Sequence, residues 1–214
     1  MSQDKPHYEK VDGTDLLIAI VAASYNQALV DALVKRTTKG LTAGGVKEAN
    51  LRLLMVPGSG EIPYATNMLA LSGDYDCIIG LGVVIAGDTP HHEIIAHSTA
   101  KAMQDVALRS EVPVINGIIV TNTRHQAEER CTGALDRGME FAQAALIMAQ
   151  HRLQLGERVK PAPHLWPVLG APPLQREARR HVPQQQQVER RAQGPRPQVA
   201  PCQCERGHGA VPVD

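Results

Sequence analysis

Aromatic side chains are nearly missing from this chain: they make up 3% of 214 residues, with one Trp and one Phe. A core without them has to be built from Val, Ile, Leu and Ala, which lets helices pack closely on a sheet. Net charge is missing too, since 22 Lys and Arg balance 22 Asp and Glu. That balance removes any general pull toward nucleic acid or an anionic membrane, and neither is expected as a partner. No apolar run is long enough to span a bilayer, and residues 1–15 carry no secretory pattern. Cysteine is scarce. Cys77 and Cys131 fall inside predicted core elements, where each is expected to act as a small buried hydrophobe. Cys202 and Cys204 stand too close together for an easy mutual disulfide and are too few for a metal site. A reduced, cytoplasmic setting is expected.

What the chain does have is hydrophobic content of 43%, arranged in segments. The organising stretch is Ile78-Ile79-Gly80-Leu81-Gly82-Val83-Val84-Ile85-Ala86-Gly87-Asp88-Thr89-Pro90-His91-His92-Glu93. Its apolar start, without polar alternation, suits a strand buried on both faces of a parallel sheet. Gly87 permits a tight turn, Thr89 is the expected N-cap, and Pro90 the expected first helical residue. Backbone N–H groups at such a turn favour an anion, and the His91 imidazole beside it could move protons.

Strands are predicted over residues 16–23, 50–56, 76–85 and 112–120. Helices are predicted over 27–43, 64–71 and 90–108, with one long final helix over 123–153. Gly44-Gly45 closes the first helix, and Thr123 with Gln126 has capping-box spacing for the last. Ile94, Ile95, Ala102, Met103 and Val106 form the apolar stripe of the third helix, with Ser98 small enough for close packing there. Four strand–helix alternations imply an α/β sandwich with a four-stranded parallel sheet. Ligands of such sheets bind outside the carboxyl ends of the strands. Chemistry-bearing residues gather there, at Ser24-Tyr25-Asn26, at residues 57–61, at residues 87–92 and from Asn116 onward.

Other motifs are excluded or weak. Gly58-Ser59-Gly60 lacks the spacing of a nucleophile elbow and the Lys of a phosphate-binding P-loop. Gly80-Leu81-Gly82 lies inside a strand, where packing explains it. His91, His92, Glu93 and His97 make a poor metal cluster because adjacent helical residues do not share a face. Residues 1–14 are polar and read as an arm, and residues 15–155 as the folded domain. Ten of the 15 prolines fall from Pro161 onward, beside a Gln184-Gln185-Gln186-Gln187 run, so residues 156–214 are expected to form a disordered tail.

Residues 16 to about 153 resemble the 6,7-dimethyl-8-ribityllumazine synthase family. The resemblance rests on an ordered series. It runs through Val56-Pro57-Gly58-Ser59-Gly60-Glu61-Ile62-Pro63, residues 81–91, Pro113-Val114-Ile115-Asn116-Gly117, Gln126-Ala127-Glu128-Glu129-Arg130 and Ala144-Ala145-Leu146-Ile147-Met148. It implies a flavodoxin-like three-layer α/β/α fold and condensation of 5-amino-6-ribitylamino-uracil with 3,4-dihydroxy-2-butanone 4-phosphate. It further implies no metal or organic cofactor, a site between neighbouring subunits, and homopentamers that can assemble into sixty-subunit shells. The arm is implied to add a strand to a neighbour's sheet. By position, the resemblance makes His91 the proton shuttle. Gly87, Asp88 and Thr89 become the phosphate turn, with Arg130 pairing the phosphate. Glu61, with the backbone of Ser59 and Gly60, would hold the ribityl chain, and Tyr25, flanked by Asn26, would stack on the pyrimidine. Arg137 stands near the place of a family lysine, two turns beyond Arg130 if the helix is unbroken.

Four positions depart from the family pattern. Ala86 replaces a commonly basic residue, Gly60 and His92 replace aromatics, and Asn116 replaces a phenylalanine that lines the pyrimidine pocket. They leave two other readings open, a non-catalytic shell-forming scaffold of the same fold and an unrelated flavodoxin-like binder of a phosphorylated ligand.

Overall fold

The computed structural model describes residues 11–158. In chain order the elements are β1 (Ile18–Ala23), α1 (Gln27–Ala43), β2 (Leu51–Val56), α2 (Ile62–Ser72), β3 (Cys77–Ile85), α3 (His91–Ser110), β4 (Val114–Thr121), α4 (Arg124–Cys131) and α5 (Arg137–Arg158), with short 3-10 turns at Glu48–Asn50 and Ser59–Glu61. The four strands form one sheet in the order β2-β1-β3-β4, every pair parallel. The α/β architecture read from the alternation, and the three layers that the resemblance implied, are the ones observed.

Burial accounts for the layers. All six residues of β1 are buried, so the strand is apolar without alternation, as a central parallel strand must be. On one face Ile18, Ile20, Cys77, Ile79, Leu81 and Val83 pack with residues of α1, α4 and α5, among them Leu33, Leu41, Ala127 and Ala142. On the other, Ala19, Val21 and Ile78 pack with Ile62 and Ala65 of α2 and Met103 and Val106 of α3. Gly80 is part of this packing, because a Cβ there would lie 2.5 Å from Met103 Cε and 2.6 Å from Ile62 Cγ2.

Several expectations are corrected. The long final helix is two helices. Gly133 follows Thr132, whose hydroxyl donates back to Glu128 O over 2.8 Å, and Asp136 adopts φ 38°, which no α-helix continues. Arg130 and Arg137 therefore stand on different helices, and the two-turn spacing of an unbroken helix does not hold. α3 begins at His91, with Pro90 as its N-cap and no capping bond from Thr89, because the first helical carbonyl is that of Pro90, which accepts from Glu93 N and Ile94 N. On that helix Ser98 and Ile94 are exposed, while Thr99 takes the buried position. Part of the expected arm is packed, since Val11 is buried and Gly13 N donates to Gly44 O over 2.8 Å. Helix α5 runs to Arg158, past the expected domain end. Residues 1–10 of the arm and the tail from residue 159 lie outside the described residues. Among the described residues no helix is long and apolar enough to cross a membrane.

Both expected buried cysteines are buried and free. Burial pushes the Cys77 thiol up to about 12 and the Cys131 thiol up to about 11. A raised folded value favours the protonated thiol, so the native state holds protons that the unfolded chain releases. Stability is then complete below about pH 9 and falls as pH rises from there to about 12, by up to about 1.4 kcal/mol per pH unit for each thiol. Urea unfolding between pH 8 and 11 should show a shallower alkaline decline for Cys77→Ala than for the parent. Parallel curves would contradict the assignment.

Candidate active site

The strand order reverses between β1 and β3, and the carboxyl ends of these two strands open a crevice. Asn26 bridges it. The residue sits in the left-handed region at φ 54°, which asparagine tolerates, and its Nδ2 donates to Val83 O over 2.9 Å. Tyr25 beside it is 73% exposed, a solvent-facing aromatic at a strand end in a chain almost devoid of them.

The loop after β2 closes on the same place. A Cβ built on Gly58 would stand 3.0 Å from Glu61 Oε2 and 3.6 Å from Tyr25 Cδ2, so the carboxylate and the ring flank one point. Ser59 is buried, with its Oγ against Gly82, and offers the crevice backbone rather than hydroxyl. At Gly60 an added Cβ would reach only Ile95 Cδ1, at 3.8 Å. A side chain would fit there, so the glycine widens the crevice.

The loop after β3 completes this group. Ala86 N donates to Thr121 O over 2.8 Å, tying the loop to the end of β4. Gly87, Asp88 and Thr89 are exposed, and their N–H groups meet no acceptor among the described residues. Gly87 is outside the left-handed region, and a Cβ there would meet nothing within 4 Å. The expected tight turn therefore does not require glycine, although the missing side chain leaves the loop backbone open to close approach. His91 follows as the exposed first residue of α3. His92 turns away, donating from Nδ1 to Thr89 O over 3.2 Å, a link across the loop that the sequence did not suggest.

Three site residues are placed elsewhere. Asn116 lies inside β4, paired in register with Gly80, and its Oδ1 accepts from Ile118 N over 3.1 Å. Five residues separate it from the strand end at Thr121, about 16 Å along the strand. Arg130 is on α4, whose Ala127 and Cys131 pack into the α1/α5 face of the sheet, opposite the face that α3 covers. Its Nη1 donates to Gln126 O over 2.8 Å. Arg137 opens α5 and pairs with Glu140. Within one chain, Tyr25, Asn26, Gly58 to Glu61 and Gly87 to His91 form one group, and Asn116, Arg130 and Arg137 stand away from it. No cluster of three or more His, Cys, Asp or Glu able to hold a metal occurs among the described residues.

Comparison with known proteins gives the family. The family model for 6,7-dimethyl-8-ribityllumazine synthase matches residues 15–152. The chain is 36% identical over 146 residues to a 6,7-dimethyl-8-ribityllumazine synthase of Polaromonas sp. (strain JS666 / ATCC BAA-500), covering 68% of this chain and 93% of that one. It has the same identity and coverage with the enzyme of that name from Paracidovorax citrulli (strain AAC00-1). The chain belongs to the 6,7-dimethyl-8-ribityllumazine synthase family.

Proposed function

We propose that the chain is a 6,7-dimethyl-8-ribityllumazine synthase of riboflavin biosynthesis, a transferase that joins 5-amino-6-ribitylamino-uracil to 3,4-dihydroxy-2-butanone 4-phosphate with release of phosphate. The observation that carries this reading is the loop after β3, where three consecutive unpaired N–H groups at Gly87, Asp88 and Thr89 lead directly into His91. Such a run of donors ahead of a helix suits the substrate phosphate. In this reading Tyr25 stacks on the pyrimidine and Asn26 flanks it. Glu61 and the backbone of Ser59 and Gly60 bind the ribityl hydroxyls. His91 moves protons as the amine attacks the ketone, water leaves to give the imine, phosphate departs by elimination, and the ribitylamine nitrogen closes the ring on the carbonyl so formed with loss of a second water. No cofactor enters these steps. Residues 15–155 carry the chemistry, with the residues before and after them as appendages.

Arg130 and Arg137 then serve as phosphate partners and Asn116 as a pocket wall from an adjacent copy, which makes the working unit a homo-oligomer. The pentamer, alone or in a sixty-subunit shell, is the proposed form, and the cytoplasm the proposed setting. Mixing the purified protein with both substrates should yield the lumazine's absorbance and stoichiometric phosphate above the spontaneous rate; the spontaneous rate alone would remove the reading. His91→Ala should lower kcat about tenfold, since positioning survives the loss of the proton carrier. An unchanged rate would deny the imidazole its part.

A further inference from the structure

The break between α4 and α5 separates Arg130 from Arg137, and a third arginine far away in sequence grips it. Arg36, in the third turn of α1, donates from Nη1 to Gly133 O over 2.8 Å and from Nη2 to Thr132 O. The same Nη1 lies 3.4 Å from Asp136 Oδ1. That carboxylate oxygen also accepts from Met139 N over 3.3 Å, capping the start of α5. Gly138 presses on Arg36 from below: a Cβ there would come within 2.6 Å of the Arg36 Cβ and 3.0 Å of Leu33 O. One guanidinium thus holds the two carbonyls that follow α4, at the negative end of that helix, together with the acidic cap of α5.

We propose that Arg36 is a positioning residue for the anion-binding arginines, fixing where Arg130 and Arg137 present their guanidinium groups to the substrate phosphate. The inference rests on the proposed function for the roles of those two residues; the clamp itself rests on the contacts alone. Thr132 and Gly133 are also tied back to Glu128 O, by both backbone N–H groups and the Thr132 hydroxyl, so it is the stretch beyond Gly133 that Arg36 and Asp136 have to place. The linker contains Gly133 and the left-handed Asp136, and Ala134 and Leu135 are exposed. Arg130 ends two residues before the first clamped carbonyl and Arg137 begins one residue after the clamped carboxylate, so a swing of the linker moves both. A lysine could keep the ion pair with Asp136, but its single ammonium cannot span two neighbouring carbonyls in a fixed plane.

The test compares Arg36→Gln, Arg36→Lys and Asp136→Asn with the parent as full-length protein, by steady-state kinetics in each substrate and by amide hydrogen exchange. Arg36→Gln should raise KM for the phosphate-bearing substrate about tenfold, with kcat and the KM for the aminouracil changed less than about threefold. Arg36→Lys should fall between that variant and the parent. Asp136→Asn, which keeps an acceptor for Met139 N, should move the same KM in the same direction by less. Exchange should quicken for the amides of residues 132–139 in Arg36→Gln and not in the strands. Equal changes in both KM values and kcat would reduce Arg36 to a structural part and overturn the proposal. So would an unchanged phosphate-substrate KM in a folded Arg36→Gln. A parent that turns over neither substrate, yet shows the quickened exchange in Arg36→Gln, would refute the proposed function and leave the clamp standing.

Discussion

Arg130→Ala should raise KM for the phosphate-bearing substrate about a hundredfold and leave thermal stability close to the parent's. A charge-assisted, bidentate guanidinium–phosphate contact contributes roughly 1.5–3 kcal/mol, and the upper part of that range corresponds to two decades of affinity. Among the described residues the side chain makes one hydrogen bond, to Gln126 O in the same helix. Little of the fold depends on it. Arg130→Lys should recover only part of the loss, because a point charge replaces a planar fork. Steady-state titration of each substrate reads the effect, which is expected in one KM and not the other. A phosphate-substrate KM unaltered by the change would exclude Arg130 from the site.

The second large effect is on the fold. Gly117 is buried in β4, and a Cβ added there would stand 2.6 Å from Leu81 Cδ2, 2.9 Å from the backbone oxygen of Gly80 and 3.1 Å from Phe141 Cδ2. Leu81 and Phe141 could yield by changing rotamer, but the Gly80 oxygen belongs to the neighbouring strand, to which β4 is hydrogen-bonded. Gly117→Ala should therefore cost about 3 kcal/mol, the upper range for overpacking a core. Gly87→Ala is the contrast. With open space around it and no left-handed backbone, its stability should change by no more than about 0.5 kcal/mol, while the added methyl stands where the phosphate is expected to approach. Chemical denaturation of the two variants distinguishes them, and equal losses would contradict this reading of the two glycines.

The sheet was legible because its strands are continuous apolar runs, and the run from Ile78 announced both a doubly buried strand and the loop beyond it. Strand ends also announced most of the crevice, since Tyr25, Asn26, Glu61 and His91 all fall where a strand gives way to a turn or helix. The break at residues 132–136 was hidden because Thr132 and Gly133 interrupt an otherwise helical pattern only weakly; what ends α4 is a hydroxyl folding back on Glu128 and a positive φ at Asp136. Arg36 could not be read at all. Its partners lie 96 and 97 residues away, and in sequence it is one more polar residue on an amphipathic helix. Ile94 misled in another way. Its spacing fits the apolar stripe of α3, yet it is 61% exposed. Asn116 is grouped with the strand ends although it falls inside the strand predicted over 112–120, and the observed strand runs through it to Thr121.

The central claim is that a working site needs one copy's Tyr25–His91 group and another copy's Arg130. Subunit complementation tests it most directly, pairing a chain carrying Glu61→Ala and His91→Ala with a chain carrying Arg130→Ala. Each parent assembly should be nearly inactive at low phosphate-substrate concentration. Co-expressed in equal amounts, the two should form mixed assemblies in which about a quarter of the sites combine two intact halves, with activity restored to about that fraction of the unmodified protein. Activity no higher than the mean of the two parents, in assemblies verified as mixed, would contradict the shared site.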